Sequence, residues 1–242
     1  MKQGTINLGK WTETDIDNLL ALAQKLPGPG GRIGFISKQF LGTHYSAFTL
    51  PVHDSEREDL VVNLSAVDCF TFLDYLEAMR RSASYKEFLA VLRDVRYRNG
   101  IIAYRKRNHF FSDWPLYQPN HIVDITASIA GEARHTVEKY LNLREDGSLW
   151  VKDVAVCVRE ITYIPTECID DSILSGLRTG DYIGIYCSQA GLDVSHVGVI
   201  IKGPFITYLR HASSAIDRMK VTDDDLIGYV KTKPGIVVYR PK

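Results

Sequence analysis

Apolar residues in the first hundred positions recur three and four residues apart, which is typical of amphipathic helices. This spacing predicts a helix over residues 12–26, capped by Thr12 and followed by a Gly/Pro-rich turn at 27–31. It also predicts a helix over the segment around Cys69, with Ser65 as the cap of an S-x-x-D capping box that includes Asp68. Cys69 is therefore expected in the first turn of a helix whose apolar residues face the core.

The pattern changes after residue 180, where short β-branched runs are separated by Gly, Pro and Asp. These runs predict strands over residues 182–186, 196–201, 205–209 and 236–239. A further helix is predicted over residues 85–96, while residues 122–141 fit either a strand or a helix. Helices in the first part of the chain, followed by a small antiparallel sheet in the last part, predict an α+β fold.

Composition narrows the class of protein. The chain has 242 residues, 45% hydrophobic and 24% charged, with 29 Lys+Arg against 29 Asp+Glu. This composition excludes a disordered polymer, and a neutral chain lacks the long-range field that nucleic-acid binding uses. Residues 93–107 carry six cations among aromatic residues, which we interpret as mostly solvated surface. No apolar run approaches the roughly 18 residues of a membrane span.

The four cysteines leave the cellular compartment open. They are Cys69, Cys157, Cys168 and Cys187, with no C-x-x-C pair, which argues against a zinc ribbon or a thioredoxin-type motif. Whether two of Cys157, Cys168 and Cys187 form a disulfide is left open. The first residues lack the pattern of a secretory leader, so we expect either a cytoplasmic protein or one whose leader has been removed.

Cys69 is the first candidate for chemistry. The partial positive charge at a helix start stabilises a thiolate, although a free cysteine is more often a small buried residue. Residues 195–214 form a predicted hairpin with Gly203 and Pro204 as its turn. In such a hairpin the residue numbers of two facing positions add up to 407, so His196 is expected opposite His211. A thiol, a base and an orienting group form the minimal set for thiol catalysis; a structural histidine pair and a zinc site are the alternatives.

Several motifs in the chain resemble those of the NlpC-type cell-wall cysteine hydrolases, and they occur in the same order. They are VDCFTF at 67–72, GDYI at 180–183, GLDVSHVG at 191–198 and HASS at 211–214. One branch, the N-acetylmuramoyl-L-alanine amidase-like family, is further indicated by RNHFFSDW at 107–114, YIP at 163–165 and GIVVYR at 235–240.

The resemblance implies a papain-like core in a single catalytic domain over residues 1–242. It implies Cys69 as nucleophile, His196 as general base and His211 as its orienting partner. Tyr45 is similar in position to a tyrosine that binds near the reacting carbonyl. The remaining substrate-binding candidates that the resemblance implies are Asp68, Arg107, Asp113 and Trp114. Residues 85–173 are expected to be an insertion that shapes the cleft, and residues 180–242 the sheet that carries the histidines.

The expected activity is a cysteine amidase that cleaves the bond between N-acetylmuramic acid and L-alanine in peptidoglycan or muropeptides. No cofactor, metal or nucleic acid is implied, and the oligomeric state is left open. The substrate implies the cell envelope, reached with a leader that is then removed. A stem-peptide endopeptidase is the alternative within the superfamily, although Phe70 and Thr71 replace the small Ser-Gly pair associated with free-amine recognition. A non-catalytic cell-wall binding module is the alternative from another class.

Overall fold

The computed structural model describes residues 5–47, 49–51 and 58–242 and shows a mixed α+β protein. The helices are Glu13–Gln24 (α1), Gly28–Lys38 (α2), Cys69–Arg80 (α3), Tyr85–Arg96 (α4), Asp113–Tyr117 (α5), Thr126–Ala130 (α6), Asp171–Gly176 (α7) and Leu226–Val230 (α8). The strands are Ile6–Asn7 (β1), His44–Tyr45 (β2), Val62–Asn63 (β3), Ala66–Val67 (β4), Ile122–Asp124 (β5), His135–Leu141 (β6), Cys157–Pro165 (β7), Tyr182–Tyr186 (β8), Val194–Lys202 (β9), Thr207–Ser213 (β10), Lys220–Asp225 (β11) and Gly235–Pro241 (β12). Among the helices described, none combines the length and apolar character needed to cross a bilayer.

The chain divides into two compact units, which are described separately. Unit 1 contains the described residues up to Asn108 together with Arg210–Asp223. Unit 2 contains His109–Leu209 together with Asp224–Lys242. Candidate residues for chemistry therefore occur in both units.

Helices α1 to α4 build the core of unit 1. Thr12 caps α1 through a capping box with Asp15, as predicted from the sequence. The predicted turn at 27–31 is wrong, because α2 begins within it at Gly28. Proline is compatible with the first turn of a helix, where its missing N–H is not needed, so this Gly/Pro cluster starts a helix as readily as it ends one.

Helix α3 is buried on all sides rather than on one face, since every residue from Thr71 to Arg80 is buried. Its acidic side chains are compensated by ion pairs. Asp74 pairs with Arg96 at 2.8 Å, and Glu77 pairs with Arg80 at 2.6 Å. Arg96 belongs to the basic stretch 93–107 that was interpreted as mostly solvated surface. It is only 2% exposed, because a buried carboxylate needs a paired cation.

The strands of unit 1 follow the order β4-β2-β11-β10. Strand β2 pairs in parallel with β4 and antiparallel with β11. In the parallel pair, Tyr45 lies beside Val67, two residues before Cys69. Strand pairing thus brings a tyrosine from the first fifth of the chain to the start of α3.

The sheet of unit 2 follows the order β10-β9-β8-β12-β7-β6, with β5 also paired to β12. The predicted strand at 182–186 is found unchanged, and the other three are found with shifted ends. The sheet is larger than expected. The pairings of β8 with β9 and β12, and of β7 with β6 and β12, are antiparallel as expected, whereas the pair β2 and β4 in unit 1 is parallel, so the sheet as a whole is mixed. Strand β6 lies in the stretch that fitted either a strand or a helix, and β7 was not predicted. Much of this ribbon is exposed, with Tyr140 53% and Val158 57% exposed, so it lacks a clear alternation of apolar and polar residues.

Candidate active site

Cys69 lies in the first turn of α3, as the sequence predicts; it is the first residue of the helix, and Asp68 is the cap. The Asp68 carboxylate accepts the backbone N–H groups of Phe70 at 2.9 Å and Thr71 at 2.7 Å. The prediction of Ser65 as the cap is wrong, because its hydroxyl donates to Asn63 at 2.7 Å. A capped helix start presents its remaining partial positive charge at the position of Cys69.

Two threonines that the sequence analysis missed support this cap. The Thr49 hydroxyl donates to the second oxygen of Asp68 at 2.5 Å, and it lies 3.2 Å from the Thr71 hydroxyl. The Thr71 hydroxyl also accepts the backbone N–H of Asp68 at 3.1 Å. Thr71 was recognisable from its spacing after Asp68, whereas nothing local in the sequence connects Thr49 with this helix.

Tyr45 lies close enough to Cys69 for the charge of the cysteine to act on it, and its role near a reacting carbonyl stays a prediction. Burial raises the pKa of the Tyr45 phenol above its usual 10.0, and the charges of Cys69 and Asp68 raise it further. A side-chain hydrogen bond with Ser214 acts in the opposite direction. Tyr45 therefore keeps its proton at neutral pH and can donate a hydrogen bond to an oxygen atom bound beside the thiol.

His211 lies in the part of β10 that belongs to unit 1 and is 1% exposed. Its neighbour in the strand, Arg210, forms a two-pronged ion pair with Asp223, at 2.7 Å for each contact, and donates to the Ser37 hydroxyl at 3.1 Å. Because successive side chains of a strand point to opposite faces, these contacts hold the strand from the other face.

His196 belongs to unit 2 and is half-buried in β9, opposite Ile185. The register shifts directly beside it, since Tyr186 pairs with Val194 and Ser195 is the extra residue of a β-bulge. The His196 ring lies 6.0 Å from the ring of Tyr229 at a tilt of 36°. Tyr229 is a long-range neighbour that the sequence analysis missed.

The turn between β9 and β10 differs from the one predicted. Gly203 N–H donates to the carbonyl of Ile206 at 2.8 Å, so Pro204 and Phe205 occupy the turn. The turn therefore lies one residue further along the chain than predicted. With Gly203 facing Ile206, the residue numbers of any two facing positions add up to 409 instead of 407. The premise for placing His196 directly opposite His211 is therefore wrong. An even shift preserves the face, so their location on a common face stays a prediction.

Arg107 is 7% exposed and is committed to contacts within unit 1. Its guanidinium forms a two-pronged ion pair with Glu58, at 2.6 and 2.8 Å, and donates to the carbonyl of Pro51 at 2.9 Å. The Tyr97 hydroxyl donates to the same carboxylate at 2.7 Å. These contacts join distant segments of the unit, and a role of Arg107 toward substrate stays a prediction.

Asp113 and Trp114 are both fully buried in unit 2. Asp113 accepts from Arg159 at 2.8 Å, and the Trp114 ring meets Tyr182 edge-on at 5.2 Å. Their motif thus supports the interior of this unit, and contact with substrate stays a prediction. In the described part of the chain, no group of three or more His, Cys, Asp or Glu side chains is arranged to hold a metal ion.

Solved structures with the same fold come from Legionella and Bacteroides species. A Legionella pneumophila protein assigned to a family of unknown function has a TM-score of 0.79 at 24% identity, covering 95% of this chain and 94% of its own. An N-acetylmuramoyl-L-alanine amidase from Bacteroides uniformis has a TM-score of 0.76 at 26% identity, covering 88% and 99%. A Bacteroides fragilis protein provisionally named a xylanase has a TM-score of 0.68 at 29% identity, covering 84% and 98%.

Among curated proteins, no sequence matches this chain significantly. The profile of one family does match, over residues 35–236, and it is described as N-acetylmuramoyl-L-alanine amidase-like (AmiA-like). The matched range contains Tyr45, Cys69, His196 and His211. Because this range spans most of the sequence, the chain belongs to the N-acetylmuramoyl-L-alanine amidase-like family.

Proposed function

We propose that the protein is a cysteine amidase that hydrolyses the bond between N-acetylmuramic acid and L-alanine in peptidoglycan fragments. The observation that carries this proposal is a cysteine at the capped start of α3 with a protonated tyrosine beside it, in a chain of an amidase-like family. A helix start favours thiolate, and the tyrosine supplies a hydrogen-bond donor for the oxygen of the scissile amide.

The proposed reaction has two steps. The Cys69 thiolate attacks the lactyl carbonyl of muramic acid, and the backbone N–H at the helix start helps to bind the oxyanion. His196 donates a proton to the nitrogen of L-alanine, which leaves as the free amine of the peptide and gives a thioester on Cys69. His196 then removes a proton from water, which hydrolyses the thioester and regenerates the thiol. His211 fixes the orientation of His196.

These roles correspond to a papain-like arrangement of a nucleophile helix and a strand that carries the base. In this proposal residues 1–242 act as one catalytic domain, and residues 85–173 form the insertion that shapes the cleft. The substrate assigns the working protein to the cell envelope. The family match and the residues around Cys69 support the proposal over a non-catalytic binding module, which needs neither a capped thiol nor a neighbouring phenol.

Product analysis tests the proposal. We expect mass spectrometry of digested muropeptides to show free peptides that begin with L-alanine, together with sugars that retain an intact lactyl carboxylate. Shortened peptides still attached to muramic acid would identify an endopeptidase, and unchanged muropeptides would favour a binding module. Inhibition by iodoacetamide, without inhibition by a chelator, is expected of a thiol mechanism; the reverse result would favour a zinc hydrolase.

A further inference from the structure

The loop between β10 and β11, residues 214–219, has no role in the proposed reaction, yet it contacts Tyr45 at two points. The loop belongs to unit 1, as do Tyr45 and Cys69. The backbone N–H of Tyr45 donates to the carbonyl of Met219 at 2.9 Å, and the Tyr45 side chain forms a hydrogen bond with Ser214. The two ends of one loop therefore hold one tyrosine, through its backbone and through its phenol.

Strand pairing fixes the backbone of Tyr45 from the other side. The N–H of Ser46 donates to the carbonyl of Val67 at 3.0 Å, and β2 pairs in parallel with β4, which leads to Cys69. Successive N–H groups of a strand point to opposite sides of it, so β2 is held between the segment before Cys69 and the loop. The freedom that remains to Tyr45 is rotation of its side chain.

The loop is closed by a turn with an unusual backbone. The N–H groups of Arg218 and Met219 both donate to the carbonyl of Ala215, at 2.8 and 2.9 Å. Met219 has a φ of +45°, in the left-handed region that residues with a side chain rarely adopt. The other non-glycine residues with positive φ in the described part of the chain are Asn or Asp, which tolerate this region better. Such a conformation persists where its surroundings impose it, and it is often found at functional sites.

Two adjacent serines at the end of β10 make different contacts. Ser213 is 4% exposed, and its hydroxyl accepts the backbone N–H of Ala215 at 3.4 Å. Ser214 is exposed, and its hydroxyl meets the phenol of Tyr45. The first serine thus supports the loop itself, whereas the second connects the loop to the candidate active site.

The direction of the hydrogen bond between Ser214 and Tyr45 determines what the phenol can do. Burial and the charges of Cys69 and Asp68 raise the pKa of Tyr45, and this hydrogen bond lowers it, so the bond favours the phenolate form. A bond with this effect has the serine hydroxyl as donor and the phenol oxygen as acceptor. The phenolic proton is then left for another oxygen atom, and a hydroxyl that accepts one hydrogen bond donates the next one more strongly.

We propose that Ser214 is a positioning residue of the amidase reaction, held by the loop at 214–219, whose hydroxyl donates to the phenol oxygen of Tyr45 and so directs the phenolic proton toward the oxygen of the scissile amide. This role rests on the proposed function, in which Tyr45 donates to that oxygen. Ser214 acts through Tyr45 and itself touches no reacting atom.

Rates of muropeptide hydrolysis give the first test. Ser214→Ala should lower kcat about tenfold and leave KM within about twofold, because the phenol acts on charge that develops in the transition state. Ser214→Thr keeps a hydroxyl and should restore most of the rate. Ser172→Ala, at an exposed serine of α7, is the matched control and should keep wild-type rates. Wild-type kcat in Ser214→Ala would overturn the proposal.

A double-mutant cycle separates positioning from a general structural effect. If Ser214 acts only through the phenol, Ser214→Ala should change the rate less than about twofold in a Tyr45→Phe background. A tenfold loss that persists in this background would assign the effect of Ser214 to the loop in general and would overturn the proposal.

A titration that needs no hydrolysis tests the contact itself. Replacing tyrosine by 3-fluorotyrosine lowers the pKa of each phenol, and ¹⁹F NMR follows its titration; the signal of residue 45 is the one missing in Tyr45→Phe. In Ser214→Ala this signal should titrate at a pH about 0.5–1 higher, because the bond that favours phenolate is lost, whereas Ser214→Thr and Ser172→Ala should titrate as the wild type does. Identical titration in Ser214→Ala would overturn the proposal. A shifted titration in a chain that hydrolyses no muropeptide would instead refute the proposed function and leave the contact established.

Met219 tests whether the loop holds Ser214 in place. Met219→Gly adopts a positive φ without strain, so the rate and the titration of Tyr45 should be preserved. Met219→Val introduces a β-branched residue that disfavours this conformation, so it should reproduce the effects of Ser214→Ala. Wild-type rates and titration in Met219→Val would show that the loop does not position Ser214 and would overturn the proposal.

Discussion

Two carboxylates that the family resemblance singles out, Asp68 in unit 1 and Asp113 in unit 2, occupy opposite environments. Asp68 is half-buried and accepts two backbone N–H groups and a threonine hydroxyl at the start of α3. Asp113 is fully buried and accepts from Arg159, which also donates to the Ser112 hydroxyl at 2.8 Å. The first arrangement shapes a helix start next to a candidate nucleophile, whereas the second compensates a charge inside the fold.

This comparison shows how residues of one sequence signature divide between chemistry and stability. A buried ion pair is strongly destabilised when one partner is removed, because the other charge remains desolvated. A helix cap is worth less, and its loss is partly compensated by water. Burial therefore predicts that changes at Asp113 act on folding and that changes around Asp68 act on activity.

The largest expected effect is that of Cys69→Ala. We expect muropeptide hydrolysis to fall to background, a loss of about 10⁶-fold in enzymes with a comparable nucleophile, while the melting temperature stays unchanged. The change removes one sulfur atom from a half-buried position and leaves the cap intact. Cys187→Ala, at a thiol of similar exposure, is the matched control. Retained turnover in Cys69→Ala would eliminate the thiol mechanism.

The two histidines should differ in effect. His196→Ala should cost more activity than His211→Ala, because a base moves the proton whereas an orienting group only tunes it; we expect about 10⁴-fold or more for the first and about 10²-fold for the second. Rates of both variants at saturating muropeptide measure the difference. Wild-type rates in His211→Ala would remove that residue from the mechanism and assign it to the buried interior.

Stability measurements test the comparison directly. Asp113→Ala should lower the free energy of unfolding by about 3–5 kcal/mol, because the Arg159 charge loses its partner in the interior. Asp68→Ala should lower it by about 1 kcal/mol, the usual worth of a helix cap. Urea unfolding of both variants provides these values. Equal losses would show that exposure does not separate the two carboxylates.

Thiol labelling examines the electrostatics of the helix start. All four cysteines are half-buried, so exposure alone predicts similar reactivity with iodoacetamide. We expect Cys69 to react first at neutral pH because of its position at the helix start. Asp68→Asn preserves a capping side chain and removes a negative charge, so labelling of Cys69 should become faster still. Mass spectrometry after short exposure identifies the site, and earlier labelling at another cysteine would indicate a different nucleophile.

The smallest expected effect is the pH dependence from Asp193, which accepts the Ser112 N–H at 2.7 Å in the same buried region as Asp113. Burial raises the pKa of Asp193 above 3.8, so the native state holds the proton more tightly than the unfolded chain. Protonated Asp193 therefore favours the folded state. This contribution to the free energy of unfolding is fully present below pH 3.8 and is lost as the pH rises through the pKa of the folded state. Urea unfolding from pH 4 to 7 should show a weaker decline in Asp193→Asn than in the wild type. Identical slopes would contradict this.

Local patterns in the sequence were sufficient for several features of the structure. The cap of α1 at Thr12, the bounds of α4 at 85–96, the strand at 182–186 and the position of Cys69 at a helix start all follow from neighbours within a few residues. Caps, helical spacing and β-branched runs act through contacts of short sequence separation, so they are readable without the fold.

Tertiary structure alone decided the partners of the charged and polar residues. No local pattern around Asp68 indicates its contact with Thr49, and none around Arg107 indicates its ion pair with Glu58. A surface groove of unit 2 likewise is lined by residues near 144 and by residues near 190, which are far apart in sequence. The sequence determined where the candidate nucleophile lies and which family the chain resembles. The fold decided which charges are buried and which face solvent, because desolvation and pairing depend on long-range packing that no local pattern encodes.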